Sequence, residues 1–361
     1  MDASVYDRTG IAVSRMGGSL RASAIIALVF LLTLSTTVET RPAPNAAALP
    51  AGAHTSRFAL HRATGKEHLF VTVYGDGYTE GTGKVEVFPL DAREDVQPER
   101  VLTGPQTLLS SPGDFAWDAQ GNLYVIDAGF FSSSRQLVPQ RVLVFAPGAS
   151  GNVAPIRVIA GSKTGFNGFG SGIAVDHSGD VFVAQSVDCS VPIFAPGARG
   201  NVAPIAVLPV GCGFGPTDAF DTGRTVYVTG GQQGQVDAYI QASATSWLLD
   251  RTINVTGAAT YIDVRGGDAY VSEGPFPHGF IGVYPVTNFR LIRTLSLPSP
   301  RFTTPRGVTV DREGTVYAAA QTHRNKPWAI AIFLRGRMHP SAYIEGPQTG
   351  LGITPGLRVG P

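Results

Sequence analysis

Charge is scarce in this sequence. Asp, Glu, Lys and Arg make up 15% of its 361 residues, against about a quarter in ordinary globular chains. With 43% hydrophobic residues, that scarcity excludes a disordered polyampholyte. No Ala/Glu/Lys/Leu-rich helical pattern is present, which excludes a coiled coil or helix bundle. The net charge of +1 supplies no basic field for nucleic acid. Cysteine is almost absent: Cys189 and Cys212 are the only two. Without a CxxC pair or a Cys/His cluster, no zinc site of the usual kind is encoded. GxxxxGK[ST], HExxH and GxSxG motifs are missing as well. Long apolar runs are also lacking. The longest apolar centre, Ala24–Leu34, falls short of the roughly 20 residues a bilayer span needs. It follows Arg8, Arg15 and Arg21 and precedes a Pro/Ala-rich segment, as an export signal does. The expectation is a signal peptide or N-terminal anchor over 1–40, with Met16 as an alternative start, and a linker over 41–56. The protein is then secreted or held in the cell envelope, and membrane-bound only if the leader stays attached.

Glycine (44) and proline (26) are plentiful, and much of that content is periodic. FAPGASGNVAPIRVI (145–159) and FAPGARGNVAPIAVL (194–208) agree at 12 of 15 positions at an offset of 49. A second element recurs as FAWDAQGNLYVID (115–127), IAVDHSGDVFVAQ (173–185) and VTVDREGTVYAAA (308–320). Each unit reads as a strand ending near Asp, a Gly turn and an alternating strand, which is a hairpin. A third strand ends in an aromatic at Phe88, Phe145, Phe194, Tyr239, Tyr284 or Phe333, and a Pro/Gly turn leads to a fourth. Four strands per roughly 48 residues, six times over, predicts an all-β, six-bladed β-propeller of four-stranded antiparallel blades over 57–361. Approximate blade limits are 57–104, 113–161, 171–209, 217–256, 260–297 and 306–345, with 346–361 as a closing tail. Phe58–His61 reads as the inner strand of the first blade. Gly356–Val359 reads as a terminal strand that either displaces it or covers the seam.

On these repeats, and most clearly on LYVIDAGFFSSSRQLVPQRVLVF (123–145), the chain resembles the NHL-repeat and gluconolactonase-like group of six-bladed propellers. That group includes binding modules, lactonases and lyases, so the resemblance implies a fold rather than one function. Loops between second and third strands share a face with the connections between blades, and loop variation is where binding usually resides. The ligand-binding candidates there are Asp76, Tyr78, Asp127, Arg135, Asp188, Arg324 and Trp328. The same topology puts Cys189 and Cys212 on that face, near enough to form a disulfide; two buried free thiols are the alternative. Glu273, His278 and His323 make the best catalytic or metal-binding constellation, since carboxylate plus imidazole can bind a divalent ion or exchange protons. No catalytic or metal role is assigned to them outright. The leading expectation is a monomeric binding or scaffolding module for a peptide, protein or saccharide, without cofactor or nucleic acid. The alternative is a lactonase or lyase dependent on calcium or magnesium. Asp118, Asp176 and Asp311 are expected to cap their own hairpin turns.

Overall fold

Because short apolar strands are separated by Gly-containing turns, the sequence folds into successive antiparallel meanders whose central strands, such as Leu123–Asp127 and Trp328–Phe333, are buried at every position. The computed structural model describes residues 66–361, apart from 77–78, 132–136, 167–169, 188, 211–217, 223–224, 231–233, 244, 275–278, 299–301 and 323–327. Six four-stranded sheets form the blades of a propeller. From the axis outward, blade 1 comprises Leu357–Gly360, His68–Val73, Lys84–Pro89 and Arg100–Thr103. Blade 2 comprises Pro112–Trp117, Leu123–Asp127, Arg141–Phe145 and Arg157–Ile159. Blade 3 follows with Gly170–Val175, Val181–Gln185, Ser190–Phe194 and Ala206–Pro209, and blade 4 with Asp218–Asp221, Thr225–Thr229, Gln235–Ser243 and Ser246–Asn254. Blade 5 holds Ala259–Arg265, Asp268–Glu273, Phe280–Pro285 and Arg293–Ser296. Blade 6 holds Phe302–Val310, Val316–Thr322, Trp328–Phe333 and Ala342–Ile344.

Apolar side chains of the inner and central strands are buried between blades, giving six wedge-shaped cores. Between blades 1 and 2, Phe70, Leu102, Phe115 and Leu143 pack together, and between blades 6 and 1, Leu69, Val71, Tyr317 and Ile330 do so. The aromatic that ends each third strand is at most 3% exposed in all six blades. Removing one such ring, as in Phe145→Ala, costs about 3–5 kcal/mol.

The closely repeated FAPGxxGN segment has a scaffold role. Asn152 Oδ1 accepts the Gln106 N–H (2.8 Å) and Asn201 Oδ1 accepts the Lys163 N–H (2.7 Å), each clamping the chain that leaves the preceding blade. Asp95 does the same for Gln348 (2.7 Å) across the junction of blades 6 and 1. FPLDAREDVQPE (88–99) is therefore a third, divergent copy. Its Glu94 keeps the left-handed backbone (φ 59°) that Gly151 and Gly200 adopt without strain (φ 69° each).

Ring closure uses the C-terminus. Leu357–Gly360 pairs antiparallel with the start of His68–Val73, from Val71↔Leu357 to His68↔Gly360. It takes the inner position expected of Phe58–His61, which lies outside the described residues. The Arg358 guanidinium pairs with the buried Asp114 of blade 2 (Nε–Oδ1 3.1 Å). Asp114 also accepts the Ile173 N–H of blade 3 (3.3 Å). On the other side, the Val359 N–H donates to Thr309 Oγ1 of blade 6 (2.9 Å), and that hydroxyl donates to Asp263 of blade 5 (2.8 Å). A belt of polar contacts thus links the inner strands of blades 5, 6, 1, 2 and 3.

Candidate functional site

The loops joining second to third strands, together with the exits from the outer strands, form one end of the propeller, here termed the mouth. At its rim the second strands end in Val73, Asp127, Gln185, Thr229, Glu273 and Thr322. The two carboxylates in that ring are committed to the scaffold. Asp127 is buried, and its Oδ1 accepts the N–H groups of Ser110 (2.9 Å) and Ser111 (2.7 Å), where the chain enters blade 2. Its Oδ2 accepts Arg141 Nε (3.1 Å). Burial pushes the Asp127 carboxyl up, and the Arg141 charge and the two backbone donors oppose that rise.

Glu273 repeats the arrangement in blade 5. Oε2 accepts the Gly257 N–H (2.7 Å) and the Thr256 hydroxyl (2.9 Å), and Oε1 accepts the Tyr284 hydroxyl (2.5 Å). Burial raises the Glu273 carboxyl, with the Tyr284, Thr256 and Gly257 donors opposing it. Burial also pushes the Tyr284 phenol up to about 12, reinforced by its bond to Glu273. Both Glu273 oxygens are therefore occupied by partners from its own blade and the segment that enters it. His278 and His323, its expected companions, lie outside the described residues.

Two of the expected ligand contacts, Asp127 and Trp328, are buried. Asp127 is enclosed and paired, because the strand end turns its side chain toward the chain entering the blade. Trp328 is 6% exposed, packed in the wedge between blades 6 and 1, because both faces of its strand pack on a neighbouring blade. Asp76 is exposed and organises its own loop, accepting the Thr79 N–H (2.8 Å) and the Thr82 hydroxyl (3.1 Å). Tyr78, Arg135, Asp188 and Arg324 fall outside the described residues. Cys189 is disulfide-bonded; Cys212 lies outside the described residues. Among the described residues no group of three His, Cys, Asp or Glu side chains is placed to hold a metal ion.

Two residues outside the candidate set shape the mouth. Arg141 ties three of its elements together, bonding Asp127, Glu80 Oε1 (2.8 Å) and the Leu108 carbonyl (2.5 Å). Arg306 is exposed on the inner strand of blade 6, within electrostatic reach of Tyr74. Burial raises the Tyr74 phenol, with Arg306 pulling against it and Asp127 adding to it. No motif marks Arg306. The only signal was a charged residue inside an otherwise uncharged strand, next to Gly307 in its left-handed turn (φ 67°) and at a register shift. At the opposite end, Asp118, Asp176 and Asp311 each accept two N–H groups of their own hairpins, as expected of turn caps.

No family model matches the sequence, and no curated relative matches it. Solved structures share the fold. A candidate 6-phosphogluconolactonase from Bacteroides fragilis is 14% identical, with a TM-score of 0.55, covering 80% of this chain and 84% of that chain. A protein of unknown function from Bacteroides caccae is 11% identical, with a TM-score of 0.53, covering 82% and 99% respectively. A chain of a nidogen/laminin complex is 14% identical, with a TM-score of 0.52, covering 81% and 98%. At such identities the likeness is one of fold.

Proposed function

We propose that this chain is an exported propeller that acts as a binding module, engaging a peptide, protein or saccharide at its mouth. The observation that carries this reading is the state of the mouth carboxylates. Asp127 and Glu273 each spend one oxygen on the entry segment of their blade and the other on a side chain of its third strand, Arg141 or Tyr284, so they anchor the scaffold rather than offer ligands. Recognition then falls to the loop side chains and to the exposed Arg306 on the axial wall. A rigid scaffold with unequal loops is the usual platform for binding. The NHL-like repeat pattern and the nidogen/laminin chain of the same fold are consistent with that use. The apolar segment Ala24–Leu34 after Arg8, Arg15 and Arg21 supports the export part of this reading, with the module free after cleavage or tethered without it.

The competing reading is a metal-dependent lactonase or lyase built on Glu273, His278 and His323. Glycan and peptide arrays probed with the wild type and with Arg306→Glu separate the two. Binding that is lost in Arg306→Glu supports the module. Array binding unchanged by that substitution refutes it, as does lactone hydrolysis that EDTA abolishes and Glu273→Gln removes.

A further inference from the structure

The net charge of +1 conceals a division along the chain. From Gly274 to the C-terminus there are ten basic and three acidic residues; before it there are 18 and 24. The basic part covers the outer half of blade 5 and all of blade 6. Among the described residues, much of its exposed charge lies at the end opposite the mouth, with Arg335 and Arg337 on the turn between the third and fourth strands of blade 6.

That turn reads Leu334-Arg335-Gly336-Arg337-Met338-His339, and all six residues are exposed. Its backbone is the one built in blades 2 and 3 from Ala-Pro-Gly-Ala. The Arg337 N–H donates to the Leu334 carbonyl (2.9 Å), as Ala149 does to Ala146 and Ala198 to Ala195 (3.1 Å each). Gly336 (φ 80°) matches Gly148 (71°) and Gly197 (75°). The scaffold therefore makes this turn from small residues and proline, and requires neither the arginines nor the large apolar side chains. Yet Leu334 is 45% and Met338 56% exposed, which no folding requirement explains.

The neighbouring surface extends the same chemistry. The Met338 carbonyl accepts the Ser296 N–H (2.9 Å), which holds the turn against the outer strand of blade 5. Just before that strand, Arg290 and Ile292 are exposed. Arg335 lies along Gly314 in the adjoining hairpin, where Arg312 is exposed beside Glu313. Arg312 also bonds Glu67, so among the described residues of this rim the exposed cations outside an ion pair are those of the turn and Arg290, with Arg293 half-buried beside them.

We propose that this rim of blades 5 and 6 is a docking surface for an anionic lipid membrane. Interleaved arginines and protruding Leu and Met side chains suit an interface with acidic headgroups above and acyl chains below. A soluble polyanion would use the arginines but leave Leu334 and Met338 without purpose. If the mouth is the binding face, docking at this rim turns it away from the bilayer.

The test uses the full chain and reads the gain in binding on passing from phosphatidylcholine vesicles to vesicles containing phosphatidylglycerol, so that any contribution of the apolar leader cancels. Grafting the blade 2 turn (Leu334→Ala, Arg335→Pro, Arg337→Ala, Met338→Ser) preserves the fold and is checked by thermal unfolding. It should cut the gain by more than tenfold, since each arginine near an anionic surface is worth about fivefold. The pair Leu334→Ser and Met338→Ser should weaken vesicle binding severalfold and leave retention on heparin unchanged. Wild-type vesicle binding in the graft overturns the proposal. Equal vesicle binding in the Leu/Met pair overturns it too, because the surface would then serve a soluble polyanion.

Discussion

Replacing Asp180 with asparagine should stabilise the protein, because blade 3 lacks a donor that its sister hairpins possess. In blade 2, Asp118 Oδ2 receives Asn122 Nδ2 (2.8 Å) and the Tyr124 hydroxyl (3.1 Å). In blade 6, Asp311 Oδ2 receives the Tyr317 hydroxyl (3.2 Å). The matching positions in blade 3 are Asp180 and Phe182, and Asp176 Oδ2 is buried without a donor. A second carboxylate therefore faces the first. Burial, then the Asp176 charge, pushes the Asp180 carboxyl up to about 6, with His177 opposing. A shift of about two units corresponds to roughly 3 kcal/mol, and solvent near the hairpin screens it to about 1–2 kcal/mol. The sign follows from linkage: the folded-state value lies above the ordinary 3.8, so the native state holds the proton more tightly between about pH 4 and 6. The penalty is complete above that window and disappears as pH falls through it. A side-chain amide at this position removes the penalty and supplies the missing bond, worth about 1 kcal/mol. Urea unfolding should show Asp180→Asn about 2–3 kcal/mol more stable at pH 7.5, shrinking to about 1 kcal/mol near pH 4. An equal gain at both pH values, or none at pH 7.5, would refute the like-charge explanation.

Arg358→Ala leaves Asp114 buried and uncompensated. It should cost about 3–5 kcal/mol, measured by denaturant midpoint; a loss under about 1 kcal/mol would mean that the pair does not secure closure. Glu94→Gly removes left-handed strain at an exposed side chain and should raise stability by about 0.5–1 kcal/mol. Unchanged or reduced stability there would show that the strain is already relaxed. Non-reducing peptide mapping should find Cys189 linked to Cys212, and reduction should lower stability by about 3 kcal/mol for a loop of about 23 residues. Two alkylatable thiols in the native protein would overturn that linkage.

The blade count and strand order were legible in the sequence because each unit repeats its apolar alternation and its turns at a near-constant interval. The turn aspartates were legible for the same reason: Asp118, Asp176 and Asp311 stand at one register of one hairpin. The mouth was harder to read, since a residue at a strand end faces either loop or core depending on pleat phase. Sequence position alone could not tell Trp328, which is buried, from a contact residue. Asp127 looked available because its partners, Ser110 and Ser111, meet it through backbone N–H groups that carry no side-chain signature. The FPLDAREDVQPE copy is hard to see in the sequence because only Phe88, Ala92, Val96 and Pro98, with the polar Asp95, match the other two.

The final strand also determines when the molecule can finish folding. Thr72 and Gly356, which exchange hydrogen bonds beside the closing strand, are 284 residues apart in the chain. Contacts of such separation are slow to form. Blades 2 to 6 can each assemble as they emerge during synthesis, whereas blade 1 must wait with three strands and an open edge for Leu357–Gly360. The ring therefore closes only once residues 357–360 have emerged, and an unclosed first blade is the species most exposed to edge-to-edge aggregation. A circular permutant that joins Leu357–Gly360 directly ahead of His68 would convert that last long-range step into a local hairpin.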